Sequence, residues 1–238
     1  MTLLASFKVK FKYIDGKYLV LDGNQRHYFL KERGGRYLNG LESCGDKLAK
    51  SYGIEKILIQ KSDLILDVGA NNGDLLLYLN TFSNYKYIGF EPASMDFKNL
   101  VLNSNLNKVY NLAALDKSCE VLFYASSREA DSSIYEPVSF VESTYVKAVR
   151  LDEFLGLNLK IKILKVDAEG AELEVVKGAE KILNQIEYIA VDLGFEKGIN
   201  QETTAPQVIN FLLANNFYIL NFTRRNCFLF KNLKSFEN

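Results

Sequence analysis

Asp67 sits in the short apolar run Leu64-Ile-Leu-Asp-Val68 and is followed at once by Gly69-Ala-Asn71-Asn-Gly73-Asp74. Glycines in such a turn let the backbone bend sharply between a strand and a helix and approach a ligand. The carboxyl ends of strands are also where open α/β sheets bind their ligands. Glu91 comes 18 residues after Gly73, ends the run Tyr85-Lys-Tyr-Ile-Gly-Phe90 and precedes Pro92. A carboxylate at that point accepts both hydroxyls of a ribose. The two features together point to an adenosine-containing ligand. A dinucleotide fingerprint needs a second glycine two residues after the first, where this chain has Asn71, so a nicotinamide cofactor fits less well.

A second group of charges, Lys165-Val-Asp167-Ala-Glu169-Gly-Ala-Glu172 and Asp192, stands at the ends of two further apolar runs, Ile161-Lys-Ile-Leu-Lys-Val166 and Ile186-Glu-Tyr-Ile-Ala-Val191. Neighbouring strand ends lie ~5 Å apart, so these side chains are expected to converge on the crevice that Asp67 faces. One of Asp167, Glu169 and Asp192 then serves as general base toward a substrate hydroxyl, its pKa raised by burial among like charges. Alternatively, Asp167 and Asp192 ligate Mg²⁺. The general base is favoured, because a magnesium site with so few carboxylates needs further oxygens. Lys165, a charge within an apolar strand, either orients Asp167, Asp192 or the substrate oxygen, or forms a structural ion pair. Glu172 and Glu174 are expected on the solvated first turns of the next helix.

Elements that position these groups follow from the periodicity. Short apolar runs at 64–68, 85–90, 108–112, 161–166 and 186–191 alternate with helical spacing at 73–79, 95–103, 171–183 and 206–214, which predicts an α/β fold with a doubly wound, mostly parallel sheet. Segments 216–222 and 226–231, flanking Thr223-Arg-Arg225, read as an antiparallel hairpin on one sheet edge. Its Arg224 and Arg225 either meet a phosphate or form a solvated tip. Residues 7–37 alternate and are punctuated by Asp15-Gly16, Asp22-Gly23 and Gly34-Gly35, so a β-meander appendage is expected over 1–43. Its aromatics, Phe11, Tyr13, Tyr18, Tyr28 and Phe29, are expected to form the meander's own core, with a sugar site or homodimer contact as the alternative. The main domain, 44–238, opens with an amphipathic helix within 44–61 that Gly53 splits. Between 113 and 153 no crossover helix is evident: a β-like piece at 120–124 and a polar piece at 126–133 suggest a cover over the site, with Ser132, Ser133 and Tyr135 as a hydrogen-bonding lid.

Composition narrows the classes. Lys plus Arg and Asp plus Glu number 29 each, so no excess of positive charge favours a nucleic acid partner. No apolar run approaches the ~20 residues of a membrane span, and Met1-Thr-Leu-Leu-Ala5 lacks the features of a signal peptide; a cytoplasmic protein is expected. Cys44, Cys119 and Cys227 are odd in number and widely spaced, as expected of reduced thiols. The single histidine, His27, leaves no catalytic histidine unless the N-terminal segment folds over the site.

Five motifs in order carry a resemblance: Asp67-Val-Gly-Ala-Asn-Asn-Gly73, Phe90-Glu-Pro92, Asn111-Leu-Ala-Ala114, Leu151-Asp-Glu-Phe154 and Lys165-Val-Asp-Ala-Glu-Gly-Ala-Glu172. Over 64–198 the chain resembles the FkbM family of S-adenosylmethionine-dependent methyltransferases. The resemblance implies a class I, Rossmann-like methyltransferase fold with S-adenosylmethionine as cofactor. It also implies O-methylation of a hydroxyl on a small-molecule acceptor, a sugar or sugar nucleotide, in surface polysaccharide biosynthesis. Asp67, Gly69, Asn71 and Gly73 would hold the methionine end, Glu91 with Pro92 the ribose, Ala113 and its neighbours the adenine. Lys165, Asp167, Glu169 and Asp192 would stand beside the methyl group, with Asp167 touching cofactor as well. Asn72 and Asp74 make the turn more polar than the family's usual form, and Asp192-Leu-Gly-Phe-Glu196-Lys-Gly198 follows only one of its branches. A nicotinamide-dependent oxidoreductase and a cofactor-binding protein without turnover are the alternatives.

Overall fold

In a computed structural model that describes residues 9–105, 107–126 and 132–234, the alternating N-terminal stretch forms a three-stranded antiparallel meander. Its strands are β1 (Lys10–Ile14), β2 (Lys17–Asp22) and β3 (Gln25–Phe29). Asp15 and Gly16 both have positive φ, 50° and 74°, the primed turn whose twist matches the strands it joins. Phe29 packs its ring against Phe11, Tyr18 and Tyr37, while Tyr13 covers Tyr18. A 3₁₀ helix (Lys31–Tyr37) leads into α1 (Leu41–Tyr52), which stops where Gly53 takes the left-handed conformation and its N–H reaches the carbonyls of Ala49 and Lys50. Helix α1 therefore runs across the boundary expected at 43/44.

The main sheet contains β4 (Leu64–Val68), β5 (Lys86–Phe90) and β6 (Lys108–Tyr110), with helices α2 (Asp74–Leu79) and α3 (Ser94–Asn103) between them. After two short strands, β7 (Ala113–Ala114) and β8 (Cys119–Ala125), come β9 (Glu142–Val149), α4 (Leu151–Leu155), β10 (Ile161–Val166), α5 (Glu172–Gly178) and β11 (Ile186–Asp192). The chain ends through the β12–β13 ribbon (Phe195–Lys197, Glu202–Thr203), α6 (Ala205–Ala214), β14 (Phe217–Phe222) and β15 (Cys227–Asn232). Strand order in the seven-stranded sheet is β14-β15-β11-β10-β4-β5-β6. The five inner and leading strands are parallel, and β15 and β14 add the antiparallel hairpin. Strand order reverses between β4 and β10, and a reversal of this kind opens the crevice at which doubly wound sheets bind ligands. Among the described residues no helix is long and apolar enough to cross a membrane.

Two differences from the sequence expectation concern the cover and α5. Part of the stretch after β6 is a sheet: β8 and β9 pair in continuous register from Cys119↔Ala148 to Ala125↔Glu142, with β7 on the far side of β9. Most of β9 is exposed, so it carries no apolar run to announce it. Residues 127–131 of the polar piece lie outside the described residues. Glu172, expected in solvent, is buried; it accepts the hydroxyl of Thr204 at 2.7 Å and the N–H of Gly170 at 2.9 Å, fastening the turn before α5. Glu174 is held by the hydroxyl of Tyr135 at 2.6 Å and by Lys197 at 3.6 Å.

One buried charge ties the meander to the main domain. Asp74, at the start of α2, takes the ring of His27 (Nε2 to Oδ1, 2.9 Å), the hydroxyl of Tyr37 (2.7 Å) and the guanidinium of Arg36 (3.2 Å). Burial alone would raise its pKa, but His27, Arg36 and Tyr37 outweigh it and hold the carboxyl well below the usual carboxylate range. The polar character of this position, unusual for the resemblance, thus has a structural cause. Asp74→Ala leaves Arg36 without its counter-charge and the His27 ring and Tyr37 hydroxyl without their buried partner, and is expected to cost about 3–5 kcal/mol. The stabilisation is present above the unfolded pKa near ~4 and is lost as pH falls below it. A Tm series against pH checks both: a variant whose Tm matches wild type at pH 7 rules the anchor out.

Candidate active site

The turn after β4 is built on left-handed residues, with φ of 72° at Gly69, 53° at Asn71 and 85° at Gly73. A Cβ on Gly69 would lie 1.8 Å from the carbonyl oxygen of Asp167, so only glycine lets the ends of β4 and β10 approach this closely. The loop's amides are taken up within the protein. The N–H groups of Gly69 and Ala70 both reach the carbonyl of Phe90 at 3.0 Å, and that of Asn71 donates to Glu91 at 2.8 Å. What faces the cavity is the turned backbone itself.

A cleft of about 480 Å³ opens over these strand ends, within the range of small-molecule sites. Asp67, Gly69, Asn71, Glu91, Pro92, Ala113, Lys165, Asp167, Glu169 and Asp192 all line it. Gly73 does not; it packs beneath α3, where an added Cβ would press Leu100 at 3.0 Å. Its expected contact with a ligand is thereby corrected: α3 crosses over it.

At one end of the cleft, Glu91 and Asp96 bring two buried carboxyl groups together. Glu91 accepts the N–H groups of Asn71 and Ala93, both at 2.8 Å. Burial, with the charge of Asp96, pushes its pKa up to about 8. Oδ1 of Asp96 has no hydrogen-bond partner among the described residues. This end holds acceptors in excess and calls for a ligand that brings hydroxyl or amine donors.

In the middle, Lys165 is an ion-pair residue. Its ammonium lies 2.9 Å from Asp67, 3.1 Å from the carbonyl of Gly69 and 3.7 Å from Asp167, over the ring of Tyr52. Burial opposes its charge, but Asp67 and Asp167 outweigh burial and raise its pKa. The other oxygen of Asp67 takes the hydroxyl of Tyr87 at 2.8 Å, so both are committed to protein groups.

The far end is acidic. Asp167, Glu169 and Glu196 place carboxylate oxygens within 4.8 Å of one another. Asp192, which the cation alternative would pair with Asp167, lies outside this cluster and accepts the thiol of Cys227 at 3.3 Å and the N–H of Gly194 at 3.0 Å. Burial and the charge of Asp167 raise its pKa. Glu196 is pushed up to about 8 by burial and by the charges of Asp192, Asp167 and Glu172.

Of the cover, Ser132 lines the cleft, but Ser133 donates to the carbonyl of Glu169 at 2.6 Å and Tyr135 turns to Glu174, so both support the wall from behind. Arg225 reaches the cleft from the hairpin, while Arg224 does not. His27, locked onto Asp74, stays out of it. Sequence reasoning missed Arg33, Arg36, Tyr52, Asp96 and Glu196, which all line the cavity. Only Glu196 gave a signal, as an acid four residues beyond a strand-end Asp192.

The Methyltransferase FkbM domain profile matches residues 67–219, well over half the chain. The chain belongs to the FkbM methyltransferase family. It is 30% identical over 142 residues to the hexuronic acid methyltransferase AglP of Haloferax volcanii, covering 56% of this chain and 57% of that protein. It is 29% identical over 164 residues to methyltransferase 1 of Beauveria bassiana, covering 56% of this chain and 66% of the other. The match thus spans less than two thirds of either relative. Among solved structures, a fibrillarin/Nop5p complex aligns with 95% of this chain and 97% of its own at 14% identity and a TM-score of 0.47.

The cofactor of this FkbM domain is S-adenosylmethionine. At the acceptor-rich end each oxygen of Glu91 holds one backbone N–H, while Oδ1 of Asp96 has no donor among the described residues, which suits the hydroxyls of a ribose. A dinucleotide fits poorly, because the buried, ionised Asp74 stands at the start of α2, where a diphosphate would have to lie.

Proposed function

We propose that this FkbM protein transfers the methyl group of S-adenosylmethionine to a hydroxyl of a sugar, free or nucleotide-linked, in surface polysaccharide biosynthesis. One observation carries the chemistry: Glu196, its proton affinity raised to about 8, stands with Asp167 and Glu169 at the end of the cleft opposite Glu91. A base matched to neutral pH is what removal of a hydroxyl proton requires. The name of the Haloferax relative supports a sugar acceptor.

In this proposal Glu91 and Asp96 accept the ribose hydroxyls, Pro92 and Ala113 with its neighbours flank the adenine, and the Gly69–Asn71 backbone borders the methionine. Lys165 holds Asp67 and the Gly69 carbonyl in place and takes no proton. Glu196 accepts the proton of the acceptor hydroxyl, with Asp167 and Asp192 keeping its proton affinity high and Glu169 beside it. The bound cofactor supplies an electrophilic methyl carbon on a sulfonium. The chain's share of the rate is alignment of the attacking oxygen and exclusion of water.

The test is transfer of labelled methyl from S-adenosylmethionine to a panel of sugars and sugar nucleotides, with and without chelator. Transfer to a sugar hydroxyl, unaffected by chelator, is the expected result. Loss of transfer on chelation assigns Asp167, Glu169 and Glu196 to a cation instead, and tight cofactor binding without turnover on any acceptor supports a binding protein.

Cofactor binding is also expected to release protons. Ribose hydroxyls donated to Glu91 favour its ionised form, so a carboxyl protonated at pH 7 with a pKa of about 8 gives up its proton on binding. Affinity therefore rises between pH 6 and 8, and the calorimetric enthalpy differs between phosphate and Tris buffers. Identical enthalpies in the two buffers contradict this.

A further inference from the structure

The N-terminal segment is a wall of the cleft, and its cations are arranged along it. Arg33 and Arg36 stand three residues apart on the 3₁₀ helix Lys31–Tyr37, and both line the cavity. Residues i and i+3 eclipse in such a helix, so the two guanidinium groups share one face, roughly 6 Å apart along the axis. Arg33 is buried, bonds the side-chain oxygen of Asn71, and its charge acts on Glu91 and Asp96. It belongs to the ribose end. Arg36 lies further along: its Nη1 stands 3.2 Å from Asp74, its charge interacts with Asp167, and its side chain remains 39% exposed. Of the other cations in the cleft, Lys165 is committed to Asp67 and the Gly69 carbonyl. Arg225 enters from the opposite side, beside Asp192.

A ligand whose ribose sits on Glu91 and whose sulfur approaches Asp167 must lay its amino-acid portion along the stretch between Arg33 and Arg36. That portion carries a carboxylate, in a cleft otherwise rich in carboxylates. We propose that Arg36 binds the α-carboxylate of the cofactor's methionine, and that the His27–Tyr37–Asp74 anchor exists to hold the guanidinium there. The assignment rests on the reading of the cleft as an S-adenosylmethionine site and adds a group to it.

The experiment compares S-adenosylhomocysteine with 5′-methylthioadenosine, which lacks the amino-acid portion, by calorimetry on the full chain. Arg36→Gln is expected to weaken S-adenosylhomocysteine about 10- to 100-fold while changing 5′-methylthioadenosine less than about twofold. Arg36→Lys, which keeps the charge but not the fork, should fall between. Equal losses for both ligands, or no loss for either, overturn the assignment. If Arg36→Gln does not fold, decarboxylated S-adenosylmethionine on the wild-type protein takes its place. Binding about 10- to 100-fold weaker than S-adenosylmethionine supports the carboxylate contact, and equal binding removes it. A wild-type protein that binds neither adenosine ligand overturns the cofactor reading itself together with this assignment.

Discussion

Glu196→Gln is expected to lower turnover by about 10²- to 10⁴-fold while leaving cofactor affinity within about threefold of wild type, because the substitution removes the proposed proton acceptor at the end of the cleft opposite Glu91 and leaves Glu91 untouched. The pH dependence carries the sign. A base with a pKa of about 8 is mostly protonated, and inactive, below that pH, so kcat in wild type rises with pH through about 8 and then levels. In Glu196→Gln that rise disappears and the residual rate is flat over the same interval. The conservative Glu196→Asp keeps a carboxyl but withdraws it by one methylene, and should recover part of the rate with the rise intact. A glutamine variant with wild-type kcat, or one that keeps the same pH rise, shifts the base to Asp192, whose pKa is also raised by burial and by Asp167.

Gly69→Ala should be the most damaging single substitution for the structure of the site. The added methyl meets the Asp167 carbonyl at 1.8 Å, and φ of 72° is strained for alanine even without the clash. Relief requires the ends of β4 and β10 to part. That breaks the 3.1 Å bond from the Asp167 N–H to the Val68 carbonyl and disturbs the seat of Lys165 on the Gly69 carbonyl. We expect destabilisation of about 3–5 kcal/mol in urea titration and loss of measurable cofactor binding in whatever fraction folds. Because Asp167 moves with the turn, catalysis and binding fail together. A Gly69→Ala protein within about 1 kcal/mol of wild type that still binds cofactor disproves the close approach. By contrast, Gly73→Ala acts through Leu100 and α3, away from the cleft, and its damage should fall on stability alone.

Much of this architecture was legible in residue order. Buried parallel strands must be continuously apolar, so β4, β10 and β11 announced themselves within a residue of their ends, and the hairpin of β14 and β15 did so through its polar tip. Exposed strands have no such obligation, so nothing in the residue order announces β9. The motif residues at strand ends were equally legible, because a doubly wound sheet sends every such residue to one crevice. Pairing was not legible. That Lys165 would choose Asp67 over Asp192, and that Asp192 would turn to Cys227, depends on side-chain directions at strand ends that periodicity does not encode.

The sequence by itself determined the sheet, the glycine turn and the set of acids that meet above it, because each follows from local rules about burial and backbone freedom. Tertiary structure alone decided which groups share a proton and which share a ligand. Arg33 and Arg36 lie more than thirty positions before the turn they face, and reach it because the buried Asp74, together with Asn103 on the Tyr28 backbone, holds the meander against α2 and α3. Glu196 gains the proton affinity that the proposed base needs because folding buries it and crowds it against Asp192, Asp167 and Glu172. Proton affinity is set by distances between charges, and distances between side chains far apart in the chain are fixed by packing, which no local pattern records.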